Sequence, residues 1–116
     1  MSIVWPVIIK YSGEDELLFV KDELTWLADT DLCAYVYDAS DVLVDANGAL
    51  YTLRYEVKTR QTLIEAQQKI VSINQFEAWV KSYLALLNQC CSSKLTLASI
   101  ADGVALIEQL AQQSEL

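Results

Sequence analysis

Hydrophobic positions along this chain change their period once, near residue 60. Before that point they alternate. In "VIIKY", Val7, Ile9 and Tyr11 fall on one side of an extended chain, with Ile8 and Lys10 on the other. "ELLFVK" repeats the pattern, with Leu17 and Phe19 against Leu18 and Val20. Between the two runs, Ser12 to Glu16 are polar and include Gly13, which predicts the tip of a hairpin. "DELTWLADTD" fits two patterns: Asp22 can cap a short helix that carries Leu24, Trp26 and Leu27, the reading preferred here, while alternation of Leu24 with Trp26 and Ala28 would suit a strand. "LCAYVY" reads as extended, because its tyrosines and valine favour strands.

"DVLVDANGALYTLRYEVK" predicts a second hairpin. Asn47-Gly48 is a turn pair, since both residues tolerate positive φ. After it, Tyr51, Leu53, Tyr55 and Val57 alternate with Thr52, Arg54, Glu56 and Lys58, as in a half-buried antiparallel strand. From Thr62 onward the spacing becomes helical. "TLIE" has the form of a capping box, with Thr62 and Glu65, and Leu63, Ala66, Ile70 and Ile73 follow at three to four residues. "NQFE" repeats that logic with Asn74 and Glu77, ahead of a broad stripe from Phe76 through Trp79, Val80, Tyr83, Leu84 and Leu87 to Cys90 and Cys91. Leu97, Ile100, Val104, Ile107 and Leu110 mark a third helix, in which Gly103 predicts the close approach of another backbone.

Strands followed by helices predict one α+β domain over residues 1–116, strand-rich to 60 and helix-rich from 61. The expected architecture is an antiparallel sheet of four to five strands with about three C-terminal helices packed on one face. At 116 residues and 53% hydrophobic content, the chain can bury a core without metal or disulfides. The short, interrupted apolar runs predict a soluble, cytoplasmic protein without a signal peptide or membrane span. Cys33, Cys90 and Cys91 read as reduced thiols, and the adjacent pair diverges too far on a helix to chelate one metal.

Charge narrows the functional classes. The net charge is −8, and residues 1–45 alone hold ten acids and two lysines. This distribution disfavours nucleic acid and anionic membranes, and allows a basic protein partner. The chain has no histidine, which removes Ser–His–Asp and Cys–His chemistry. It also lacks a glycine-rich phosphate loop and a dinucleotide fingerprint. Glu14, Asp15 and Glu16 could offer oxygens to a hard cation, but consecutive acids on a hairpin point in alternating directions. They read first as a solvated turn and second as a protein-contact site. Asp22, Glu23, Asp29, Asp31, Asp38, Asp41 and Asp45 read as caps and turns, or as an extension of an acidic patch if they share a face with the tip. Trp5 and Trp26 are candidate binding anchors if exposed. Arg54, Lys58 and Arg60 form the one basic cluster, read as a neutralised strand face.

At "WPVIIKYSGEDEL", at "DVLVDANGALYTL" and in the helical tail, the sequence resembles a small proteobacterial family of uncharacterised stand-alone domains with no assigned function. The resemblance spans nearly the whole chain. It implies a compact domain without catalytic residues. The function expected is therefore a non-enzymatic, acidic protein-interaction domain, with Trp5, Glu14, Asp15, Glu16 and Trp26 as candidate contacts and no cofactor. A monomer or weak homodimer is expected. The alternatives are a small carboxylate-dependent enzyme or metal-binding protein, and a structural or oligomerisation domain.

Overall fold

The computed structural model describes residues 3–88 and 94–114. β1 (Val7–Lys10) and β2 (Leu17–Val20) form the first hairpin. α1 (Glu23–Ala28) and α2 (Thr30–Cys33) follow, then β3 (Val42–Val44), β4 (Ala49–Glu56) and β5 (Gln61–Ile70). α3 (Ile73–Leu86) and α4 (Ile100–Ser114) end the chain. The five strands form one sheet in the order β2-β1-β3-β4-β5, with each neighbouring pair antiparallel. The protein is thus α+β, an antiparallel sheet followed by C-terminal helices.

Alternation sorts the side chains onto two faces. Ile8, Leu17 and Val44 meet Phe76, Val80 and Leu84 of α3 and Val104 and Ile107 of α4. Val7, Ile9, Val20, Leu43, Tyr51 and Leu53 meet Trp26, Leu32 and Tyr37 on the other side. The C-terminal helices pack on one face as expected, but the sheet is covered on both, because residues 22–41 fold back over the second face. Strands buried on both sides account for the unbroken "VII" of β1, all three residues of which are fully buried.

Three local readings are corrected. Residues 61–70 are a strand rather than a helix, so among the described residues two long helices follow the sheet instead of three. Thr62 caps nothing: its hydroxyl donates to the Tyr35 carbonyl at 2.5 Å, and Glu65 pairs with Arg54 across the β4–β5 ladder at 3.0 Å. "LCAYVY" is not extended. Leu32 and Cys33 close α2, which Asp29 caps, and residues 34–41 form an irregular segment. The cap of α3 is Ser72, whose hydroxyl accepts from the Gln75 amide at 3.0 Å, not Asn74. The expected cap of α1 is present: Asp22 accepts from the Thr25 amide at 2.8 Å. The stripe's Cys90 and Cys91 lie outside the described residues.

β5 is irregular near its end. Ala49 pairs with Ile70 and Tyr51 with Ala66, so Leu50 alone faces Gln67, Gln68 and Lys69, and Gln68 takes φ 58°. At the β3–β4 turn, Gly48 takes φ 86° and its amide bonds the Asp45 carbonyl at 2.9 Å. Asn47 is not among the positive-φ residues, so Gly48 alone supplies the left-handed position. Gly103 does permit a close approach, but by the Phe76 ring rather than by a backbone. A Cβ at 103 would lie well inside contact distance of that ring and 3.0 Å from a Leu97 methyl.

Glu77 accepts from the Leu97 amide at 2.7 Å, tying the segment before α4 to α3. That bond, helped by Lys81 at 3.5 Å, holds the Glu77 carboxyl below the usual glutamate range. A lowered folded-state pKa means the contribution is present above the unfolded value and lost as pH falls through the folded one. Glu77→Gln should therefore lower stability at pH 7 and flatten its decline on acidification. Urea unfolding across pH 2–6 measures this, and parallel curves for both proteins would refute it.

Candidate functional site

Three carboxylates earlier read as turn residues prove to be organisers. Asp45 is 2% exposed. Its Oδ1 accepts from the Asn47 and Ala49 amides at 2.9 and 3.0 Å, and its Oδ2 from the Val4 amide and the Tyr51 hydroxyl, each at 3.2 Å. Burial, with the Asp45 charge beside it, raises the Tyr51 pKa. Asp41 is 4% exposed and spans two segments. Its Oδ1 accepts from the Ser12 amide at 2.6 Å and its Oδ2 from the Asp38 amide at 2.8 Å. Asp38 in turn accepts from the Ser40 amide at 2.9 Å. A buried carboxylate held by backbone donors is stable without a cation.

The Asp41 bridge fixes the tip of the β1–β2 hairpin beside the irregular segment, and a cleft of about 670 Å³ opens between them. Glu14 and Glu16 stand on the hairpin side, Asp38 and Asp41 on the other, and Tyr11, Tyr35 and Tyr37 line the aromatic part. Tyr37 is buried and donates to the Leu32 carbonyl at 3.0 Å. It stacks on Tyr11, with centroids 5.9 Å apart and 14° between planes, and on Trp26 at 6.3 Å. Tyr35 stands edge-on to both, at 86° to Tyr11 and 75° to Tyr37, and is 46% exposed. Burial raises the pKa of Tyr37 and, less deeply, of Tyr11, so both stay phenolic in neutral water.

The cation at the hairpin forms no ion pair with these acids. The Lys10 ammonium donates to the backbone carbonyls of Tyr11, at 3.3 Å, and of Glu14. The ion pairs among the described residues are Arg54–Glu65 and Lys81–Glu77. Glu14 and Glu16 therefore present unpaired carboxylates at the rim, both exposed. Among the described residues, no group of three or more Cys, Asp and Glu is placed to hold a metal ion.

The sequence-derived contacts thus divide between two places. Glu14 and Glu16 line the cleft, and Asp15 is exposed beside them at the tip. Trp5 and Trp26 line a separate depression with Ile3, Leu27 and Ile64. Trp26 is 4% exposed and belongs to the core, while Trp5 is half-buried against it. Tyr35 and Tyr37 were missed because "LCAYVY" reads as strand, and Tyr11 because it reads as one more apolar position on the face of Val7 and Ile9. The spacing of Tyr35 and Tyr37 beside Asp38 and Asp41 was the available signal. Asp22, Asp29 and Asp45 serve as caps and turns, and of the other acids only Asp38 and Asp41 join the hairpin tip.

Fold and cleft define a small α+β domain with an open aromatic and acidic surface. The chain belongs to the DUF4144 family, described as a protein structure with unknown function, which matches residues 5–107. No curated protein matches it. A protein from Shewanella amazonensis, solved by NMR, shares the fold: the TM-score is 0.64 at 23% identity, over 93% of this chain and 90% of that one. Among the described residues, no helix is long and apolar enough to cross a membrane.

Proposed function

We propose that this chain is a non-enzymatic interaction domain of the cytoplasm that docks a basic segment of a partner protein at the cleft between the hairpin tip and residues 35–41. The observation carrying this reading is the set of unpaired carboxylates on an aromatic wall, beside a lysine committed to backbone carbonyls. Glu14 and Glu16 supply attraction at the rim, and Asp15 extends the field outward from the tip. The bridging Asp41 keeps the two walls in place before a partner arrives, which lowers the ordering cost of binding.

A carboxylate-dependent enzyme has one feature in its favour, since several acids converge on this cleft. Acid–base catalysis by carboxylates draws on withdrawal from water, and here Glu14 and Glu16 are exposed while Asp41 is committed to two backbone amides. Docking uses the exposed acids as they stand.

A peptide rich in lysine and arginine tests the reading by calorimetry over a range of salt. The triple variant Glu14→Gln, Asp15→Asn, Glu16→Gln should bind about tenfold more weakly at low salt and show a shallower salt dependence. Equal affinity and equal salt dependence would remove the hairpin acids from the function.

A further inference from the structure

Resting on the docking reading above, we infer that the cleft is built around one residue of the partner: an arginine whose guanidinium lies against Tyr35 and donates to Glu14, Glu16 and Asp38. Three features of the cleft point to this side chain rather than to basic charge in general.

The first is the aromatic geometry. Tyr11 and Tyr37 form a nearly parallel stack, and Tyr35 stands close to perpendicular to both. Tyr37 is sealed beneath, with its hydroxyl bonded to the Leu32 carbonyl. Tyr35 is the ring left open to a ligand, at 46% exposure. A large ring left that open beside a cleft offers a π-surface, on which a planar cation stacks well.

The second is the acceptor set. Glu14, Glu16 and Asp38 line the same cleft as Tyr35 from both of its walls. Asp38 gives one oxygen, Oδ1, to Ser40 and keeps the other free. Glu14 and Glu16 carry no ion pair among the described residues. A guanidinium has five donors in a fixed fork and can meet carboxylates on two sides at once. An ammonium has three donors, is more strongly hydrated, and gains less from the ring.

The third is that the walls do not need to form around the ligand. Asp41 joins the Ser12 amide on the hairpin to the Asp38 amide opposite, at 2.6 and 2.8 Å. The backbone segments that carry the acceptors are therefore held together before a ligand arrives. A planar fork that reaches both walls at once gains most from this, because the walls need not be brought together on binding.

The experiment uses the full chain, labelled with nitrogen-15, and three capped peptides of sequence Gly-Ser-X-Ser-Gly. X is arginine, lysine or citrulline, the last being a neutral mimic of arginine. The arginine peptide should shift amides of residues 11–16 and 35–41 and approach saturation. The lysine peptide should bind about fivefold more weakly, and citrulline should leave those amides in place. Tyr35→Ala should weaken the arginine peptide about fivefold, and Tyr35→Phe should restore it, because the ring rather than the hydroxyl makes the contact. Glu14→Gln with Glu16→Gln, which alters only exposed side chains, should weaken arginine and lysine peptides alike.

Equal binding of arginine and lysine, unaffected by Tyr35→Ala but reduced by the double glutamine variant, would overturn the arginine inference and leave the docking reading standing. Shifts scattered over the surface, or none near the cleft with either basic peptide, would overturn both.

Discussion

Asp45→Ala should destabilise the protein by about 3 kcal/mol, the cost of stranding several buried donors at once. The Asn47 and Ala49 amides, the Val4 amide and the Tyr51 hydroxyl all converge on this carboxylate, which is 2% exposed. Alanine offers none of them an acceptor. Asp45→Asn separates the contributions. Its carbonyl oxygen can serve the Asn47 and Ala49 amides, but its NH₂ then faces the Val4 N–H, donor against donor. A loss of about 2 kcal/mol is expected for asparagine. Urea unfolding measures both variants, and an alanine variant within 1 kcal/mol of the parent would show that Asp45 does not organise the hairpin.

Phe76→Ala should cost more, about 4 kcal/mol, since its ring is fully buried between the sheet and α4. Its seat depends on Gly103, where a Cβ would collide with the ring. Gly103→Ala alone brings two opposed effects. The helix gains about 1 kcal/mol in propensity, while overpacking costs roughly 1–3 kcal/mol. A net loss of about 1 kcal/mol is expected. In a Phe76→Leu background the smaller side chain leaves room, so Gly103→Ala should become neutral or stabilising. This reversal of sign is the informative result. A Gly103→Ala effect that is the same in both backgrounds would mean that ring and glycine are not coupled.

Where the chain's own neighbours decide a conformation, the sequence predicts it well. The two hairpin turns, the Asp22 cap and the alternation of β4 are all local, and all are present. β5 is the opposite case. Leu63, Ala66, Ile70 and Ile73 have helical spacing, and "TLIE" has the form of a cap. Pairing with β4 from Glu56–Gln61 through Ala49–Ile70 overrides both. The turn between these strands carries no glycine; Arg60 takes φ 57° in its place, so the usual marker of a hairpin is missing. The cleft was half-legible for a related reason. Glu14 and Glu16 announce themselves as an acidic turn, but their meeting with Tyr35 and Asp38 depends on Asp41 bonding an amide 29 residues away. No local pattern encodes that distance. The tryptophans show the converse, since an aromatic residue near acids looks like an anchor until Trp26 is found stacked on Tyr37.

The irregular end of β5 has a consequence for how the molecules behave together. β5 is a ten-residue edge strand, long enough to template a neighbour's strand and seed a fibre. Gln68 bends it out of line with φ 58°, and Lys69 sets a charge at the bend that joins no ion pair among the described residues. An incoming strand would have to follow the bend and bury that ammonium. The same local distortion that breaks the ladder with β4 therefore disfavours the addition of a strand at this end of β5.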